Sequence, residues 1–398
     1  MRFGSVYELQ PGPGLGADSD RIVHVWREAA TQVALMDQLG WDYVWEVEHH
    51  FLGDYSSSSA PESFLAYVAG QTSHIRLGHG VVLLPKEFNH AWRIAERIAA
   101  LDILSNGRVE FGTGRGITRD ELEGFGMVPD DSRAMQLEAL EMLPQMWASD
   151  TFSWQGQFYN LPERRVSPRP VQRPHPPMWM AAVQPDSWRV AGERGLGVLS
   201  FGFSEPGLLE ENIAVYREAL KTDNPPSGMI NDQIAIAPLM YCAETDTEAI
   251  QTAKPHLDFF VQCNIGFISQ WLGSKSAAYE FYEKMAGASK PGEIFAMPKF
   301  EATKDIPGLS PDEAELAAQV RNGVFCVGSP QTCCDFVQLC VDAGIDNLFF
   351  PVQYGTLTHE QITRSIRLFS EEVIPKFAHP MRHAVAPQRP HGMGMVVG

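Results

Sequence analysis

In Val44-Trp45-Glu46-Val47-Glu48-His49-His50-Phe51 an apolar run ends abruptly in two acids, two histidines and an aromatic ring. The pattern is that of a strand delivering side chains to a site. Upstream, residues 29–39 carry apolar side chains at helical spacing and break at Gly40; downstream, four serines and Pro61 mark a loop and a new helix start. Similar short β-rich runs alternate with longer helical patterns along most of the chain, the signature of βα units around a parallel sheet. Strands are expected at residues 2–6, 43–47, 75–84, 108–113, 178–183, 197–201, 234–242 and 347–352, which makes eight, the number that closes a TIM (β/α)8 barrel.

Helices are expected at 22–39, 62–72, 91–104, 132–148, 187–194, 206–220, from 247 onward, 330–343 and 359–377. Asp131 and Ser132 are candidate caps for one of them; Ser329-Pro330 and Gly344 bound another. The barrel is expected to occupy residues 1–378, with insertions at about 149–177 and 255–322 and a flexible tail over 379–398. Aromatic residues in the first insertion suggest a small hairpin. The second mixes aromatics, glycine and lysine and is a candidate mobile lid.

A net charge of −18 over 398 residues disfavours nucleic acid and anionic membranes as partners, because both are bound through clustered Lys and Arg. No apolar run approaches the roughly 18 residues that span a bilayer, and the start of the chain lacks a signal-peptide core. The cytoplasm is the expected location. Six cysteines are read as reduced thiols, and the group Cys326, Cys333, Cys334 and Cys340 fits no usual zinc spacing, so no metal site is expected.

Chemistry in such a barrel belongs at the carboxyl ends of the strands. His49 and His50 fall at the end of the second. Neighbouring side chains on extended backbone point to opposite sides, so one of the two faces the pocket as a candidate acid or base. In the third strand Gly78 and Gly80 mark either a bulge with close ligand approach or simple crowding of the barrel interior. The fourth ends in Gly112-Thr113-Gly114-Arg115-Gly116, where open amides and a guanidinium suit an anion. It is not a Walker loop. Ser187, after the fifth strand, either donates to the same anion or caps a helix.

Together these strand ends resemble the bacterial luciferase-like family of flavin-dependent monooxygenases, over residues 1–377. Glu48-His49-His50-Phe51 is similar to the family's motif after strand two, with His49 at the catalytic position beside His50. Ser105-Asn106-Gly107-Arg108 followed by Phe111 to Gly116 resembles its strand-four signature, with Arg115 at the flavin-phosphate position. Phe125-Gly126, Ser132-Arg133, Glu193-Arg194-Gly195, Val327-Gly328-Ser329-Pro330 and Gly344-Ile345-Asp346-Asn347 also match. The resemblance implies FMN, supplied as FMNH2 by a separate NAD(P)H:flavin reductase, with O2 as co-substrate and a homodimer packed through the second and third βα units. It implies a cis Gly80–Val81 bond against which the flavin rests, and oxygen transfer through a flavin C4a-(hydro)peroxide to a small organic substrate, a carbonyl compound being the first expectation. Three positions depart from the luciferase pattern. Gly114 stands where its reactive cysteine is, and Val183-Gln184 replace a Glu-Ser pair, leaving Ser187 as the nearest hydroxyl. An F420-dependent dehydrogenase, a non-catalytic flavin-binding protein and a metal hydrolase are the competing readings.

Overall fold

Residues 1–201, 205–222, 224–288 and 308–377 are described in a computed structural model of the chain. The strands are β1 (Arg2–Tyr7), β2 (Tyr43–Glu46), β3 (Arg76–Leu83), β4 (Val109–Gly114), β5 (Thr151–Gln155), β6 (Asn160–Arg165), β7 (Met178–Ala181), β8 (Gly197–Ser200), β9 (Ile234–Ile236), β10 (Met240–Cys242), β11 (Cys326–Gly328) and β12 (Asn347–Pro351). Eight of them close a parallel barrel in the order β1-β12-β9-β8-β7-β4-β3-β2. Each corresponds to one of the strands expected from the sequence.

The seventh of those expected strands is split. Residues 234–242 form β9 in the barrel and β10 outside it, which pairs in parallel with β11. Pro238 lies between them and has no N–H to give a ladder, so the run cannot continue as one paired strand. A second difference is at Pro255, which does not open a loop but sits inside the helix Asp246–Ser269. A third is at Asp131, whose side chain caps nothing, while the Ser132 hydroxyl donates to the Pro129 carbonyl, 2.7 Å. Between the helix Ser132–Ala148 and β7, β5 and β6 form an antiparallel hairpin. The tail expected at 379–398 and part of the second insertion lie outside the described residues.

Alternation places two cores on the two sides of the barrel wall. Val6, Tyr43, Trp45, Val47, Trp179, Leu199 and Phe349 fill the inside, with Trp45 edge-on to Trp179 at 5.4 Å. Outside, helices close over the opposite faces. The helix Ser19–Gln38 turns Val25, Ala29, Val33 and Met36 inward, is capped by Asp18 accepting from the Arg21 amide at 2.9 Å, and is followed by Gly40 at φ 82°. Cys326, Cys333, Cys334 and Cys340 are buried and free. No helix among the described residues is long and apolar enough to cross a membrane.

Candidate active site

Where β2 runs out, the chain turns His49 and His50 to different sides. His49 enters a cleft at the carboxyl ends of the strands; His50 packs outside it between Phe88 and Phe125, with Nε2 3.3 Å from Glu48 Oε1. Extended backbone explains the split. Two carboxyl groups that no sequence motif announces bracket His49. Its Nδ1 is 3.0 Å from Glu121 Oε1, and its Nε2 is 3.6 Å from Glu8 Oε2. Glu121 is fixed in turn by the Thr118 hydroxyl at 2.5 Å and the His50 amide at 2.9 Å.

Burial works against an imidazolium here, but Glu121 and Glu8 outweigh it and raise the His49 pKa to about 9. Burial likewise opposes the Glu121 charge, yet His49 and three hydrogen bonds hold its pKa below the usual carboxylate value. Glu8 shifts the other way: burial raises it, with His49 and a Tyr55 hydroxyl resisting. The site therefore holds a positively charged imidazole at neutral pH, oriented by a fixed anion. Such a group gives up a proton to a developing anion and can take one back.

Next to this end lies a floor of glycine backbone and the Val81 side chain. The β3–β4 register shifts between His79 and Val82, so Gly80 and Val81 leave the ladder, and the peptide between them is cis. Of the two readings of the β3 glycines, Gly80 marks the bulge and Gly78 the crowding: a Cβ on Gly78 would lie 2.2 Å from the Trp45 ring. Gly114 is as tight, since a Cβ there would come within 2.4 Å of the Val81 side chain.

At the other end, Arg115, Arg133, Gln184 and Ser187 line the same cleft. Ser187 is in the first turn of the helix Pro185–Glu193 but is not its cap, which is Gln184. Arg133 pairs with Asp186. The Arg115 guanidinium is more heavily engaged. It donates to Ser132 Oγ at 2.9 Å and to the Ala278 carbonyl at 2.7 Å, and it lies 4.2 Å over the Tyr279 ring. Tyr279 stacks on Trp271 at 3.9 Å and 1°. Trp271 donates to the Ile117 carbonyl at 2.8 Å and Tyr279 to that of Gly116 at 2.9 Å, so residues 271–279 are docked on the loop after β4. The whole cleft encloses ≈ 1230 Å³ of empty space, part of it open to solvent. Among the described residues no group of three or more His, Cys, Asp or Glu is arranged to hold a metal ion.

The donor set fits FMN: two arginines and a hydroxyl for a phosphate, and a floor of glycine backbone with the small Val81 side chain for a flat ring. The sequence made Arg115, Ser187, Gly80, Val81 and Gly114 candidates, and all of them line this cleft. It missed Glu8, Glu121 and Arg133 as members of the site. Only Arg133 had a signal, its place in a matching motif.

The profile of the family described as luciferase-like monooxygenase matches residues 1–347. The oxygenase component of the flavin-dependent trigonelline monooxygenase of Acinetobacter baylyi is 28% identical over 363 residues, 88% of this chain and 90% of that one. An F420-dependent glucose-6-phosphate dehydrogenase of Kineococcus radiotolerans is 29% identical over 206 residues, 50% of this chain and 60% of that one. The crystal structure of the monooxygenase RslO1 from Streptomyces bottropensis superposes with a TM-score of 0.74 at 25% identity, covering 95% of this chain and 100% of that one. Three other curated relatives, 36%, 30% and 32% identical, are matched over 54%, 62% and 56% of their own lengths. The chain thus spans little more than half of each of them. With a family profile matched across nearly the whole barrel, the chain belongs to the luciferase-like monooxygenase family.

Proposed function

We propose that the protein is the oxygenase of a two-component system, binding FMNH2 delivered by a separate NAD(P)H:flavin reductase and inserting one atom of O2 into a small organic substrate. One observation carries this reading: a single cleft joins an arginine-lined anion seat, a Gly80–Val81 and Gly114 floor, and His49 held between two carboxyl groups. Reduced flavin, when bound, supplies the electrons that activate O2. Arg133 and Arg115 bind the phosphate, and Ser187 donates beside them. His49 manages the proton at Nε2, while Val6, Leu199, Phe201 and Phe349 exclude water from the reacting end. A closing movement of residues 271–279, which dock on the loop after β4, belongs to the same proposal.

Anaerobic titration with FMNH2, and in parallel with reduced F420, tests the cofactor. Tight FMNH2 binding followed by substrate oxygenation supports the reading; selective F420 binding with hydride transfer replaces it by a dehydrogenase. Arg133→Ala is expected to weaken FMNH2 binding about tenfold or more, the usual effect of losing a charge-assisted hydrogen bond. Arg115→Ala should weaken it at least as much, because that change also releases Tyr279. Unchanged affinity in both variants would remove the phosphate seat from this end of the cleft.

A homodimer is part of the proposal. Tyr67 and Leu104, 61% and 68% exposed, lie on the helices Pro61–Ala69 and Ala91–Leu104 after the second and third barrel strands, where an apolar partner surface would cover them. Sedimentation equilibrium is expected to give twice the chain mass, and Tyr67→Glu with Leu104→Glu to shift it to monomer.

A further inference from the structure

The end of the cleft occupied by His49 carries a feature that flavin binding does not explain. Glu8 follows β1, lines the cleft, and is 2% exposed. Its Oε1 accepts from the Tyr55 hydroxyl at 3.1 Å, but its Oε2 is buried without any hydrogen-bond partner. The nearest cationic atom to that oxygen is His49 Nε2 at 3.6 Å, beyond hydrogen-bond range. Burial raises the Glu8 pKa, with the imidazolium and the Tyr55 hydroxyl opposing the rise; in the ionised form Oε2 is an acceptor. His49 Nε2–H is a donor beside it. Buried polar atoms of this kind are rarely left unmatched.

We propose that Glu8 and His49 form a slot for a substrate hydroxyl, and that the molecule taken into the cleft is an alcohol or phenol on an apolar body. A hydroxyl oxygen placed ~2.8 Å from both atoms of this 3.6 Å pair would donate to Glu8 Oε2 and accept from His49 Nε2. A carbonyl or ether oxygen accepts from His49 but has no hydrogen for Glu8. The carboxylate would then stay buried and unpaired, which a site penalises more than the loss of one good contact. Phe201, Phe267, Phe349, Val47 and Leu199 supply the apolar walls. Glu8 is thus a specificity-determining residue. The inference narrows the substrate of the proposed oxygenase and rests on that reading only for the chemistry after binding.

The test is calorimetric titration of the full-length protein, with and without saturating FMN, using 2-naphthol, 2-methoxynaphthalene and naphthalene as probes. In the wild type, 2-naphthol is expected to bind about tenfold tighter or more than either analogue. Naphthalene separates the loss of the hydrogen from the added bulk of the methyl group. In Glu8→Gln the advantage should fall to within about twofold: Tyr55 holds the amide oxygen, so an N–H faces the slot opposite another N–H. Glu8→Ala should lose the advantage too. Equal binding of naphthol and its analogues in the wild type, an advantage that survives in a folded Glu8→Gln protein, or no binding of any probe would each overturn the slot. If neither variant folds, the wild-type ratio alone decides. Retention of FMN is read separately by equilibrium dialysis. Discrimination that depends on Glu8 in a protein that does not retain FMN would sink the flavin reading and leave the slot standing; retention without discrimination would do the reverse.

Discussion

In a Glu121→Gln variant, His49 is expected to titrate at least about one unit below the value of about 9 set by its two carboxylates. Glu121 gives the imidazolium both a charge at 3.0 Å and a hydrogen bond at Nδ1, while burial pulls the other way and remains in the variant. An NMR titration of histidine ring signals reads this directly, with His49→Gln supplying the assignment. The stability consequence has a definite sign. The folded pKa of His49 lies above its ordinary 6.5, so its stabilisation is complete below about 6.5 and lost as pH rises through about 9. The difference in melting temperature between wild type and Glu121→Gln should therefore be large at pH 6, smaller at pH 8 and smallest at pH 10. Coupled oxygenation should fall about 10²-fold, the scale of a misplaced general acid or base, with FMN still bound. An unshifted titration would mean that Glu121 does not set the charge of His49.

The second large effect concerns Gly112. A Cβ there would lie 2.0 Å from the His79 carbonyl oxygen and 2.8 Å from Leu199 Cδ1. The first neighbour is backbone at the edge of the β3 bulge and cannot rotate away. Gly112→Ala must push β3 and β4 apart where they shape the floor of the cleft, and a loss of about 3 kcal/mol or more is expected. Thermal unfolding should show a melting temperature several degrees lower, and FMN affinity should fall as well. Gly266 is the control. It lies in the helix Asp246–Ser269, where an added Cβ would meet nothing within 4 Å, so Gly266→Ala should be neutral or stabilising by up to about 1 kcal/mol. Equal effects at the two glycines would refute the crowding argument.

Periodicity was sufficient for the eight barrel strands because each is an apolar run bounded by glycine, proline or polar turns, a signal local to a few residues. It failed where the partner decided the outcome. Residues 234–242 are uniformly apolar, yet β9 and β10 pair with different strands, and only Pro238 hinted at the break. Pro255 looked like a boundary because a helix interior loses a hydrogen bond there; the contacts of the surrounding helix override that preference. The opposed directions of His49 and His50 followed from backbone geometry alone. The acid neighbours of His49 did not: Glu121 is 72 positions from it and Glu8 is 41, and neither stands in a motif that names its partner. The resemblance named the anion at Arg115 as a flavin phosphate and contributed the Gly80–Val81 bond, but nothing in it shows the Arg115 guanidinium already shared between Ser132, Ala278 and Tyr279.

That sharing makes loading and closing a linked equilibrium. The face of the Arg115 guanidinium rests on Tyr279 and its edge on Ser132 and the Ala278 carbonyl, while an incoming phosphate draws on the same N–H donors. If an anion strengthens the stack, docking of residues 271–279 tightens its binding by an equal factor; if it displaces the Ala278 carbonyl, each opposes the other by an equal factor. In the proposed function, reciprocity of this kind would couple cofactor affinity to the docking of the segment. The hold of the site on an anion and the hold of residues 271–279 on the loop after β4 are thus one quantity read at two places, joined by a stack of three side chains.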